Sequence, residues 1–147
     1  WRFENYTEAL TKSSLIRYFF NSVFYSAVTV LVAGLLSAMA AYAIARMYWK
    51  KRNTVFTIFS VGIMIPAQAA LLPLFQLLDK IGLKGGYLGL LIPYIAGAIP
   101  MSVMILTGFY KGIPKEIEEA ACIDGCGLWR CFFSIITPIV KPALATA

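Results

Sequence analysis

Residues 18–45 read YFFNSVFYSAVTVLVAGLLSAMAAYAIA, a run of 28 positions without one charged side chain. About 20 apolar residues in a helix cover the hydrocarbon layer of a bilayer, so this run predicts a membrane-spanning helix. Few folds are open to a chain built around such a segment, because in lipid every backbone amide and carbonyl must find its partner inside the protein. Composition agrees: 60% hydrophobic and 14% charged residues leave too little polar side chain to cover a water-facing domain of 147 residues. The expected class is all-α, a polytopic transmembrane helix bundle with about four spans.

The net charge of +6 does not point to nucleic acid, because the basic residues sit at the ends of apolar runs and do not line a polar face. Directly after the first span comes RMYWKKRN, with Arg46, Lys50, Lys51 and Arg52 and no acid. Such a cluster marks the cytoplasmic side, and Tyr48 and Trp49 suit the interfacial aromatic belt. Residues 1–17 are therefore expected outside and 46–53 inside. Within the run, Gly34, Ala38, Ala41 and Ala45, with Ser37, form small-residue rows that let helix backbones approach closely in lipid. Polar residues at depth, Asn21 and Ser26 here and Gln68 further on, are candidates for a translocation path.

Three more spans are expected, over about 54–72, 87–110 and 128–147. Pro66 loosens the first of these, and an amphipathic outer segment follows with Leu74, Leu77, Leu78 and Ile81 on one stripe. Pro93 and Pro100 break the next, which returns the chain to the cytoplasm for residues 111–127. The sequence opens on Trp1 and stops within an apolar stretch, so further spans are expected beyond one end or both. There is no histidine, and the three cysteines, Cys122, Cys126 and Cys131, read as packing residues. Cys122 and Cys126 would share a helix face, yet zinc ordinarily takes four ligands; no metal and no cofactor are expected.

Four of the seven acids, Glu116, Glu118, Glu119 and Asp124, fall within residues 116–127. The stretch KGIPKEIEEAACIDG predicts a short surface helix over about 114–124. Pro114 suits its first position, the glutamates its first turn, and Gly125 its end. Such a helix is too short to span and too acidic for anionic lipid, which leaves a docking helix for a protein or a plain solvated loop helix.

Glu119-Ala120-Ala121, Gly125, Ile135 and Pro138 stand at the spacing of the EAA signature, so the chain resembles the permeases of ABC importers. Thr137 replaces the usual leucine of that signature. The fuller IPKEIEEAACIDG is similar to the carbohydrate-uptake permeases of the maltose type. Further likenesses are ENY at 4–6, NS at 21–22, AYAIAR at 41–46, MIP at 64–66, LPLF at 72–75 and GFYKGIP at 108–114.

The resemblance implies a permease of the bacterial plasma (inner) membrane that is not itself an enzyme. Its implied partners are a second permease subunit, two ATP-binding cassette subunits and an extracytoplasmic sugar-binding protein. It also implies that the acidic helix couples ATP hydrolysis to transport. Glu116, Glu119, Ala120, Ala121, Ile123, Asp124 and Gly125 are the residues that carry over. A permease of the same fold for polyamines or phosphate is the alternative, disfavoured by Ile123-Asp124-Gly125.

Overall fold

A computed structural model describes residues 14–147, and every regular element among them is helical. ENY at 4–6 and most of the segment 1–17 lie outside the described residues. Seven helical elements follow one another: α1 (Leu15–Arg46), α2 (Arg52–Met64), α3 (Ala67–Lys80), α4 (Tyr87–Gly112), α5 (Glu116–Ile123), α6 (Leu128–Ile139) and α7 (Lys141–Thr146).

Helix α1 carries the whole uncharged run in 32 residues, and its principal partner is α4. Ala33, Ser37, Ala38 and Ala41 of α1 are buried, one helical turn apart or adjacent to it, while Gly34 and Ala45 stand at the margin. Across from them Val103, Leu106 and Tyr110 of α4 are fully buried. Lipid tails are as apolar as leucine, so this contact rests on close packing and not on escape from water. Nearer the start of α1, Val30 and Leu31 are about 70% exposed, which is a lipid-facing pattern. Ala41→Leu is expected to wedge α1 from α4 and to cost about 1–3 kcal/mol. Thermal unfolding of the detergent-solubilised protein measures it, with Val30→Leu as the silent control.

The structure departs from the expected spans in three places, the first a full break at the proline expected only to loosen its span. The segment expected to cross at 54–72 is two helices that break at Ile65 and Pro66 and bend by 99°. By contrast, Pro93 and Pro100 lie inside an unbroken α4. Neighbours decide the difference. Pro100 packs beside Gly62 of α2, and without competing water the surrounding helical bonds hold. The expected span at 128–147 is also divided, into α6 and α7 around Val140. Among the described residues two continuous helices are thus long and apolar enough to cross a membrane, or three spans if the bent pair counts as one.

In α3 only Ala70, Leu74 and Leu78 turn partly inward; Leu77 and Ile81 are exposed, so the buried stripe is narrower than the sequence pattern. Within α6, Cys131–Ile136 adopt the wider π-helical turn, and Thr137 Oγ1 donates to the Phe132 carbonyl at 2.7 Å. The residue that departs from the EAA signature thereby gives the Phe132 carbonyl a second donor beside its own backbone amide.

The acidic helix and its anchorage

Helix α5 is eight residues long, about 12 Å. It begins at Glu116, with Lys115 as its N-cap, so Pro114 stands outside the helix and not at its first position. Glu116, Glu118 and Glu119 occupy the first turn, where amide groups without partners favour negative charge. The other end closes as a Schellman motif. The Cys126 amide donates to the Ala121 carbonyl at 2.9 Å, and the Gly125 amide donates to that of Cys122 at 3.0 Å. This geometry requires the left-handed backbone that Gly125 adopts, φ +75°. Cys126 lies beyond the turn, so Cys122 and Cys126 do not share a helix face.

The helix is fastened through its inner face. Arg46, the last residue of α1, has a side chain only 4% exposed. Its Nε donates to Glu118 Oε2 at 2.9 Å, and its Nη1 donates to the Ile113 carbonyl at 2.8 Å and, at 3.3 Å, to that of Tyr110. Its Nη2 donates to the Pro114 carbonyl at 3.3 Å. These carbonyls lie at the C-terminal end of α4 and just beyond it, where helical amides run out, although that of Tyr110 also accepts the Ile113 amide at 3.2 Å. A second brace runs from Lys115 Nζ to the Tyr48 hydroxyl at 2.8 Å, with the Arg52 guanidinium 5.2 Å from the same ring. The Lys115 contact, then its charge, holds the Tyr48 hydroxyl below the ordinary phenol pKa.

Ala121 is buried against its own chain's core, 6% exposed, and Cys126 packs beside it. This corrects the expectation that Ala120 and Ala121 are both open to close docking, because only Ala120 is exposed. Glu116, Glu119, Cys122, Asp124 and Gly125 are exposed, and Ile123 is 87% exposed. The candidate face is thus Glu116, Glu119, Ala120, Ile123 and Asp124. Arg46 and Glu118 belong to the site although sequence reasoning assigned neither to it. Arg46 reads as one more positive-inside charge and Glu118 as one more first-turn acid, and no local spacing links positions 72 apart.

The polar positions nominated for a path are not assembled. Asn21 is half-buried, and Ser26 and Gln68 are exposed. The neighbouring cleft of about 530 Å³ is lined by Tyr25, Leu74, Phe75 and Tyr94 among others, and by none of the three.

Residues 31–147 match the family model described as "Binding-protein-dependent transport system inner membrane component". The chain belongs to that family. As an inner membrane component it is a multi-helix membrane protein, and its relatives are permeases of ABC transporters for carbohydrates. It is 37% identical over 145 residues to the diacetylchitobiose uptake system permease protein NgcG of Streptomyces coelicolor, covering 99% of this chain and 48% of that one. It is 37% identical to the arabinooligosaccharides transport system permease protein AraQ of Halalkalibacterium halodurans, covering 97% and 50%. To the trehalose transport system permease protein SugB of Mycobacterium tuberculosis it is 32% identical, covering 99% and 53%. The chain spans about half the length of the curated relatives it matches. A solved bacterial ABC transporter involved in the import of the acidic polysaccharide alginate superposes with a TM-score of 0.83 over 99% of this chain and 50% of that one, at 23% identity. That likeness shows the permease fold.

Proposed function

We propose that this chain is part of the permease of an ATP-driven importer for sugars or oligosaccharides, with α5 as the helix that receives a partner ATPase. The observation that carries this reading is the division of α5 into two faces. One face is locked to the bundle through Glu118 and Ala121, while the other presents Glu119, Ala120 and a bare Ile123. An isoleucine held out among acids suits a groove with an apolar floor and a basic rim. Glu119 supplies polar contact, Ala120 permits close approach, Ile123 anchors, Glu116 and Asp124 add charge, and Gly125 makes the turn.

Orientation follows from the same end of the bundle. Contacts of Arg46, Arg52, Lys111 and Lys115 join the end of α1, the start of α2, the end of α4 and α5. Lys50 and Lys51 lie in the loop between α1 and α2, so the chain's basic residues collect there, and by the positive-inside rule α5 faces the cytoplasm. The ATPases, two copies under this reading, dock on that side. A second permease subunit completes the pathway, and an external binding protein delivers the sugar. The sugars for which the relatives are named, diacetylchitobiose, arabinooligosaccharides and trehalose, support the carbohydrate class.

The test is reconstitution of the full-length permease with the subunits encoded beside it. ATP-dependent uptake of a labelled oligosaccharide supports the reading; uptake of spermidine or phosphate in its place overturns the substrate class. The polar positions are tested in the same system. Cysteines placed at 21, 26 and 68 are expected to react with a water-soluble maleimide, with substrate slowing the reaction. Labelling only by a lipid-soluble reagent would remove them from the path.

A further inference from the structure

We propose that Arg46 is a positioning residue that makes α5 and the cytoplasmic ends of α1 and α4 move as one body. This rests on reading α5 as the docking helix. Only Ile113, Pro114 and Lys115 connect α4 to α5. A load applied to α5 alone would be taken up by rotation about that short linker, without displacing α4. Arg46 bridges the linker from outside. A single guanidinium, belonging to α1, holds carbonyls of Tyr110, Ile113 and Pro114 on one side and the Glu118 carboxylate on the other. Its planar, pre-organised fork suits simultaneous contacts in fixed directions, which a lysine ammonium does not reproduce.

The two adjacent glutamates then divide the work. Glu119 faces the solvent, whereas Glu118 is turned inward onto Arg46. The far end of α5 is held independently by Ala121, buried in the core, and by Cys126, packed against that core. Fixed at both ends, α5 cannot rock in its seat, and displacement reaches two membrane helices together. A tether that served only folding would need no contact with all three elements.

The test uses the full-length permease assembled with its partners, carrying Arg46→Gln, Arg46→Lys or Glu118→Gln. The first readout is uptake per ATP hydrolysed by assembled complexes. Misfolded protein drops out of both quantities, so a merely structural role leaves this ratio unchanged. For Arg46→Gln and Glu118→Gln the ratio is expected to fall about tenfold, and Arg46→Lys to recover part of it. The second readout, hydrogen exchange of the amides of residues 119–123, needs no transport. Exchange there is expected to accelerate about tenfold in the two glutamine variants. Wild-type ratios in the surviving complexes, or unchanged exchange, overturn the proposal. Absence of ATP-linked uptake in the wild type would overturn the functional reading instead, and the exchange data would still decide the clamp.

Discussion

A permease carrying Gly125→Val is expected to insert in the membrane normally and to lose nearly all ATP-driven uptake. The site is open, since a β-carbon at Gly125 would meet no neighbour within 4 Å, so crowding is not the cause. The cause lies in the backbone. At φ +75° an L-residue pays about 1–2 kcal/mol, and a β-branched one is a genuine outlier. Relaxing that strain opens the Schellman turn and frees the carbonyls of Ala121 and Cys122, worth about 0.5–1.5 kcal/mol each. An eight-residue helix has little stability of its own to absorb such a loss. Gly125→Asn is the informative companion, because asparagine tolerates the left-handed region, and most of the uptake is expected to survive. Uptake assays on reconstituted complexes, with the amount of inserted permease measured in parallel, decide the matter. Equal activity in the valine and asparagine variants would mean that the turn is dispensable.

Glu119→Lys is expected to act with equal force by a different route. Glu119 is exposed and takes no part in the contacts of Arg46 and Lys115, so its replacement leaves the fold within about 0.5 kcal/mol. At a docked interface, however, a reversed charge meets the partner's basic rim, at a cost of about 2–5 kcal/mol. Co-purification of the ATPase should then fall at least about thirtyfold. Salt gives a second signature. Association of the wild type weakens as ionic strength rises, whereas that of the lysine variant improves, because screening now relieves repulsion. Glu118→Lys is the contrasting case. It places two cations together beneath α5 and loosens the helix itself, which hydrogen exchange registers without any partner. Undiminished sugar-stimulated ATP turnover in Glu119→Lys would sink the docking assignment.

These contrasts show which parts of the molecule are legible in the chain. Local features are readable because their causes are local. The 28-residue uncharged run becomes α1, the clustered glutamates form the first turn of α5, and Gly125 ends that helix. Features settled by neighbours are not readable. Pro66 marks a right-angle break, while Pro73, Pro93 and Pro100 sit inside continuous helices, and nothing in their flanking residues separates the two outcomes. Likewise Ala120 and Ala121 are identical letters with opposite environments, because only the packing of α5 on the bundle says which one faces in. The pairing of Arg46 with Glu118 belongs to this class. Each residue has an adequate local explanation, and the contact that matters joins helices 72 positions apart.

The right-angle break between α2 and α3 sets a condition on the lipid as well as on the chain. Helix α2 has 13 residues, about 20 Å of rise, against an apolar layer about 30 Å thick. It is too short to cross that layer alone, and α3 leaves it at 99°. At the junction Pro66 offers no amide, and the last carbonyls of α2 have no helical turn above them. An unpaired carbonyl in hydrocarbon costs several kcal/mol. Hydration, or a donor from a neighbouring helix, therefore has to reach the Ile65 region.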